Sequence, residues 1–91
     1  MAVVVRAAAS GNVMVFCEVI GPFVGPRLKA ATRRVRSVDP HSVRVSMQPA
    51  ALSFAVDPTR HSPQAAVDAA RRGLPAAVRF NIVHVLSHER R

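Results

Sequence analysis

Two helix starts determine the order in which helices and strands can follow one another in this chain. At Gly25-Pro26 and at Ser62-Pro63, a residue suited to the N-cap position stands directly before a proline, which is favoured at the first helical position. The stretches before and after both starts are rich in valine or alternate between apolar and polar residues, a pattern typical of strands. The chain is therefore expected to combine two helices with a sheet.

Five strands are expected from these patterns. Residues 2–7 and 13–20 are rich in valine and are joined by a Ser-Gly-Asn turn, which predicts a hairpin. A second hairpin is predicted for residues 42–47 and 52–56, because both segments alternate and Gln-Pro-Ala-Ala separates them. The last strand is expected to begin near Val78, and a basic tail follows it.

The spacing of the apolar residues predicts which side chains face the core. In the strand 13–20 the odd-numbered and the even-numbered residues form two faces, and both faces are largely apolar. In the two strands of the second hairpin, the residues expected to face inward are Val43, Val45, Met47, Leu52, Phe54 and Val56. In the last strand, one face is expected to carry Val78, Phe80, Ile82, His84 and Leu86. In the helices they are Leu28, Ala31, Thr32, Val35, Ala66, Val67 and Ala70.

Each helix is followed by a residue that should end it. Pro40 disfavours helical backbone at Asp39, so the first helix is expected to end near residues 37–40. Gly73 suits the left-handed conformation that often follows a helix, so the second helix is expected to end just before it.

From residue 13 onward the expected order is strand, helix, strand, strand, helix, strand. This order predicts an α+β fold, the ferredoxin-like split βαβ sandwich, with two helices on one face of an antiparallel sheet and an extra N-terminal strand. We expect a single domain over residues 1–91, with the extra strand and turn in 1–12, the ferredoxin-like core in 13–87 and a basic tail in 88–91. In the usual order the first core strand already has two neighbours. The extra strand must then displace one of them or pair elsewhere, for example with another chain.

The charge of the chain favours an anionic partner. Thirteen basic residues face five acidic ones, which gives a formal net charge of +8, and all but Lys29 of the basic residues are arginines. Such a balance attracts nucleic acid or an acidic protein. The residues expected to make the contact are Arg27, Lys29, Arg33, Arg34 and Arg36, with Arg44 nearby and Arg90 and Arg91 in the tail. Two alternatives remain: a solvated helix face, and an arginine content that reflects a GC-rich coding sequence.

The first helix should present part of this charge as one row. At 100° per residue, Lys29, Arg33 and Arg36 are expected to form a stripe opposite the apolar face. For nucleic acid, Phe16 is the single aromatic residue expected on an open sheet face, so an aromatic platform for stacking is missing.

The remaining composition predicts a soluble, cytoplasmic protein without a metal or a cofactor. Cys17 is the only cysteine, which excludes an internal disulfide, and its apolar neighbours predict an inert buried thiol. No apolar stretch approaches the ~20 residues that span a bilayer. His84 and His88 would lie ~13 Å apart along a strand, too far to share one metal ion. The first eleven residues resemble a transit peptide in composition, but their valines are equally typical of a strand.

The segment around the first helix start resembles the acylphosphatase family. That family carries GxVQGVxFR between its first strand and first helix, and Gly21, Gly25 and Lys29 fall on its two glycines and its arginine. Residues 71–83, which read RRGLPAAVRFNIV, are similar to the family's RRGPPxARV entry into its last strand. The resemblance covers about residues 13–87 and implies a ferredoxin-like fold.

The resemblance also implies a phosphate-binding loop of backbone N–H groups and an asparagine that positions the attacking water. The catalytic candidates it implies are Lys29 at the arginine position and Ser46 at the asparagine position, which a one-residue shift moves to Met47. Lysine lacks the bidentate geometry of arginine, and Pro22 and Pro26 have no N–H to donate. The family's chemistry is thus degenerate in this chain.

An open apolar sheet face gives a third hypothesis. If the odd-numbered residues of the strand 13–20 pack against the helices, Met14, Phe16 and Ile20 lie on the uncovered face, where an apolar surface needs a cover. Three covers are considered: a second copy of the chain packed sheet to sheet, the N-terminal strand folded over the face, and another protein. A homodimer is expected, since two-fold pairing is the common arrangement.

We therefore expect a small non-enzymatic binding or regulatory module for an anionic partner. The alternatives are a divergent acylphosphatase-like hydrolase and a homo-oligomeric structural protein or protein–protein adaptor.

Overall fold

The strand Val13–Ile20, β1, lies inside a four-stranded antiparallel sheet and has a neighbouring strand on each side. This computed structural model describes residues 12–22 and 25–87. The elements after β1 are α1 (Gly25–Arg33), β2 (Arg44–Met47), β3 (Ala50–Val56), α2 (Pro63–Arg71) and β4 (Arg79–Ser87), with a short 3-10 turn at Pro40–Ser42 before β2. The fold is thus α+β, with two helices and an antiparallel sheet.

The sheet has the strand order β2-β3-β1-β4. Each pair of neighbours is antiparallel, so β3 and β4 occupy the two hydrogen-bonding edges of β1. This arrangement is consistent with a ferredoxin-like fold. The strand expected over residues 2–7 lies outside the described residues.

Both helices pack on the same face of the sheet. The odd-numbered residues of β1 are buried, as predicted, and so are Leu52, Phe54 and Val56 of β3. They form one cluster with Leu28 of α1 and with the apolar residues of α2, which are Ala66, Val67 and Ala70. Because a single cluster joins the sheet to both helices, neither of these two helices covers the opposite face of the sheet.

The first helix ends earlier than predicted, at Arg33 rather than near residues 37–40. The chain then turns tightly, with the Val35 N–H donating to Thr32 O at 3.1 Å and the Val38 N–H donating to Val35 O at 3.0 Å. Val38 forms an isolated bridge with Val56 of β3, and both valines are buried. Residues 34–38 therefore leave the helix because Val38 pairs with the sheet. The effect of Pro40 on the preceding backbone does not predict this earlier end.

The second helix begins where predicted and ends just before Gly73, as predicted, but the conformation at its end differs. The Ser62 hydroxyl accepts from the Ala65 N–H at 3.1 Å, which caps the first turn. At the other end Arg72 keeps a right-handed conformation, and Gly73 does not adopt the positive φ that was predicted for it. A Cβ at Gly73 would lie 3.3 Å from the Ala31 Cβ, so glycine at this position permits close approach of α1.

A β-bulge in β4 changes the predicted faces of the last strand. Phe16 of β1 pairs with His84, whereas the next residue, Cys17, pairs with Ile82, so Val83 is left over. Phe80 and Ile82 face the core, and His84 and Leu86 were predicted to share their face. His84 and Leu86 lie instead on the face without helices, because the extra residue reverses the alternation after it.

Met47 was also predicted to face inward and is 72% exposed. It is the last residue of β2, an edge strand, and it lies next to the hairpin turn into β3. The core therefore ends before this position.

Candidate anion-binding surfaces

The cations of α1 emerge on two flanks of the helix. Leu28, Ala31 and Thr32 are buried, which fixes the side that faces the sheet. Arg27 and Lys29 are exposed and lie about 200° apart around the helix axis, so they point to opposite flanks. Arg33 follows Lys29 by about one turn and shares its flank. These residues do not form a single row.

Arg34 and Arg36 follow the end of α1 and lie in the turn toward Val38. The predicted stripe of Lys29, Arg33 and Arg36 is therefore wrong at its last member, because Arg36 is not helical. Both arginines are exposed, and both border a cavity between the two helices. We call Arg27, Lys29, Arg33, Arg34 and Arg36 the helix-side cations.

The helix-side cations have no carboxylate partner among residues 12–22 and 25–87. Within 4 Å, the ion pairs of this part of the chain are His41 with Asp39 at 3.8 Å and Arg60 with Asp57 at 3.7 Å. Hydrogen bonds from the Thr59 hydroxyl and the Thr59 N–H lower the pKa of Asp57, so its carboxylate is charged at neutral pH. The positive charge on α1 is thus uncompensated locally.

The cavity between the helices has a volume of about 430 Å³. Small and apolar residues form one part of its wall, namely Ala31, Val35, Ala69 and Gly73. The polar part consists of Arg34, Arg36, Ser37, Arg60 and His61. We call this cavity the interhelical cleft. Its lining includes four residues with basic side chains and no acidic residue.

A buried hydroxyl fixes the position of His61 in the interhelical cleft. Ser37 is 3% exposed, and its Oγ lies 2.8 Å from His61 Nδ1. The backbone oxygen of Ser37 accepts from the Asp57 N–H at 2.8 Å, which anchors the serine itself to the loop after β3. The imidazole is therefore held at one nitrogen by a well-anchored group.

The sequence does not mark Ser37, Arg60 and His61 as site residues. Ser37 and His61 are 24 positions apart, and they meet because the segment after α1 pairs with the end of β3, where Val38 bridges Val56. One signal was present: Arg60 and His61 stand directly before the N-cap of α2, where the helix dipole disfavours cations. Basic residues at a position that favours acidic ones suggest a role outside helix stability.

The sheet face without helices carries the residues predicted for an oligomer interface. Met14 and Phe16 are partly buried, and Ile20 is 46% exposed. The ring centroid of Phe16 lies 5.7 Å from that of His84. We call this surface the open face. A groove of about 410 Å³ runs along it between Phe16 and β2.

Arg44 belongs to the open face and not to the helix-side cations with which it was grouped. It pairs with Ser53, and Ser53 pairs with Phe16 across β3 and β1, so the three side chains lie on one side of the sheet. The grouping is wrong because residue 44 was expected to lie near the helix, while the alternation of β2 directs it away.

The two weak catalytic candidates occupy different surfaces. Lys29 is on α1, on the side of the sheet that the helices cover, and Ser46 is on β2, at an open-face position paired with Ala51. The Ser46 hydroxyl donates to Pro49 O at 2.8 Å within the hairpin.

Gly21 in the loop after β1 has φ +105°, and a Cβ there would lie 2.3 Å from Ala77 O. The positive φ and the close approach of Ala77 therefore explain why this loop position is glycine.

Among the residues that the structure describes, no group of three or more histidine, cysteine, aspartate or glutamate side chains is placed to hold a metal ion. In the same part of the chain, neither helix is long and apolar enough to cross a membrane. Comparison of the chain with protein-family models, with curated proteins and with solved structures gives no significant match.

Proposed function

We propose that this protein is a non-enzymatic binding module for an anionic partner, with nucleic acid as the partner class, and that it acts in the cytoplasm. In this proposal the fold is ferredoxin-like, with residues 2–7 as an extra N-terminal strand. The observation that carries the proposal is the set of five exposed helix-side cations without a carboxylate within 4 Å in the described residues. Four of them are arginines, whose planar forks match phosphate oxygens.

Binding through these cations should depend steeply on salt. With about five phosphate contacts, affinity is expected to fall roughly 100-fold for a single strand and roughly 500-fold for a duplex between about 50 and 200 mM salt, because bound cations release condensed counterions. Fluorescence anisotropy with labelled RNA and DNA over a salt series measures this slope. Binding that ignores salt, or no binding at low salt, contradicts the proposal.

A matched pair of variants separates a defined surface from overall charge. Arg27, Lys29 and Arg33 are replaced together by glutamine, and the control replaces the exposed Arg44, Arg71 and Arg79, which lie off α1. Both variants lose three positive charges. For the first variant, the slope of affinity against salt should correspond to about three fewer phosphate contacts than in the wild type. The control should keep a slope and an affinity close to those of the wild type. Equal losses would mean that the protein attracts polyanions only by its net charge.

The open face favours a second function, assembly of two copies. Ile20 and Leu86 are 46% and 45% exposed there, and Met14, which pairs with Leu86, shares this surface with Phe16. The face also carries both signs of charge, with Glu18 on β1, Arg79 on the adjacent β4 and Arg44 on the edge strand β2. A two-fold pairing of such a face can bury its apolar centre and match acidic with basic groups.

The variant Phe16→Glu should be monomeric if the open face joins two chains, because an isolated carboxylate in the centre of an apolar interface is strongly unfavourable. Multi-angle light scattering measures the mass. The control Ala30→Glu adds the same charge at an exposed position of α1 and should keep the dimer. A wild-type monomer, or a Phe16→Glu variant with the mass of two chains, rejects assembly through this face.

A further inference from the structure

We propose that the interhelical cleft is a binding site for a small phosphate monoester, such as a nucleoside monophosphate. This site goes beyond the polyanion surface proposed above, because Arg60 and His61 contribute to it and lie outside the helix-side cations.

Three arginines from two separate segments line the cleft. Arg34 and Arg36 come from the turn after α1, and Arg60 comes from the loop before α2. The Asp57 carboxylate lies 3.7 Å from Arg60 Nε, which is longer than a hydrogen bond, so the guanidinium N–H groups remain available to a ligand. The lining itself contains no acidic residue. A ligand that enters the cleft therefore meets a positive potential with little local compensation.

His61 adds an oriented donor. When the Ser37 hydroxyl donates to Nδ1, the neutral ring carries its hydrogen on Nε2, which can then donate to a ligand oxygen. Because Ser37 is buried and is also bound to the Asp57 N–H, the ring is held in place before a ligand arrives. Such preorganisation reduces the entropy that binding would otherwise cost.

The number and type of donors favour a phosphate monoester over a carboxylate. A monoester presents three terminal oxygens and a charge near −2 at neutral pH, which suits several guanidinium forks at once. A carboxylate has two oxygens and a single charge, and one arginine can satisfy it.

The apolar wall favours an organic ester over free phosphate. Ala31, Val35, Ala69 and Gly73 offer no hydrogen-bonding side chain, and a purely inorganic ion would leave them without a partner. The volume of about 430 Å³ lies within the range of small-molecule sites. A sugar or a base attached to the phosphate would fill this part of the cleft.

Isothermal titration calorimetry of the full chain at low ionic strength tests the site with three probes: AMP, inorganic phosphate and adenosine. AMP is expected to bind at concentrations of about 1 mM or below and more tightly than inorganic phosphate. Adenosine is expected to bind at least about tenfold more weakly, because it lacks the charge that the arginines recognise. Absence of AMP binding, or equal affinity for AMP and adenosine, overturns the proposal.

Variants separate the cleft from the net charge of the chain. Arg36→Gln and Arg60→Gln should each weaken AMP binding by about tenfold or more, through loss of charge-assisted hydrogen bonds. Arg71→Gln removes the same charge from an exposed residue of α2 that does not line the cleft, and it should change the affinity less than about twofold. Equal losses in all three variants overturn the proposal. Amide shifts in ¹H–¹⁵N spectra, expected at Ser37, His61 and Gly73, report the location without relying on a variant.

The same titration distinguishes this site from the polyanion surface. The variant with Arg27, Lys29 and Arg33 replaced by glutamine should keep its affinity for AMP while it loses affinity for RNA and DNA. If the wild type binds no RNA or DNA but binds AMP, and Arg36→Gln and Arg60→Gln weaken AMP binding as expected, the cleft is supported as a binding site and the proposed polyanion function is rejected.

Discussion

Alkylation of Cys17 by iodoacetamide at pH 8 is expected to be about a thousandfold slower in the folded protein than at an exposed cysteine. The thiol is 2% exposed, and burial raises its pKa from 9.0 to about 12. Since the thiolate is the reacting species, a pKa three units higher leaves about a thousandth of the thiolate. The rate is measured by mass spectrometry of the modified chain.

The reference for this rate is a Cys17→Ala variant that carries Ala30→Cys, which places a thiol on the exposed side of α1. Labelling of Cys17 at the rate of that variant would show that the thiol is accessible, contrary to the structure.

The raised pKa of Cys17 also makes the free energy of unfolding depend on pH. Unfolding releases the thiol proton above pH 9, so the contribution of this group is fully present below pH 9 and is lost as pH rises toward 12.

Replacing Phe54 by alanine is expected to lower the free energy of unfolding by about 3–5 kcal/mol. Phe54 is fully buried, lies opposite Val15 on the core face of the sheet and is among the largest buried side chains. A loss of this size approaches the total stability of many small domains, about 5–15 kcal/mol. Urea denaturation followed by circular dichroism measures it.

Phe16→Ala is the matched control, because it makes the same chemical change one strand away on the open face. Its side chain is only partly buried and contacts the ring of His84, so the loss should be less than half of that for Phe54. Equal losses at the two positions would mean that the open face is as well packed as the core, which would contradict the fold.

The elements of this fold follow closely from local signals. β1 has the predicted bounds, and both helices start at the predicted Gly25 and Ser62-Pro63 signals. The assignment of the two faces of β1 is confirmed, because strict alternation in a strand leaves each residue only one side. In these segments propensity, capping and hydrophobic pattern agree with one another.

The errors occur where contacts distant in sequence override the local pattern. Val38 leaves the helix because it pairs with Val56, and His84 and Leu86 change face because β4 carries an extra residue at Val83. Neither effect appears in the spacing of apolar residues, since a bulge and a bridge are properties of a pair of strands.

The candidate surfaces were predicted less well than the elements. The exposed cations on α1 follow from amphipathicity, but the position of Arg36 depends on where the helix ends. The interhelical cleft depends on contact between segments about 24 residues apart, which charge and periodicity do not encode. The grouping of Arg44 with the helix side failed although the alternation of this strand was predicted correctly. Val43 and Val45 face the core, so residue 44 between them faces away from the helices.

In residues 12–22 and 25–87, both helices lie on one face of the sheet and leave the open face without a helix, so the two sides can be occupied at the same time. A two-fold dimer joined through the open face would turn the helices of both chains outward. Its cations would then point in opposite directions, and the assembly would be bivalent. A bivalent module can bridge two strands or two distant segments of one polymer, and once one chain is bound, tethering raises the effective concentration of the second. Valency, rather than the affinity of one helix, would then set how strongly a long polyanion is held.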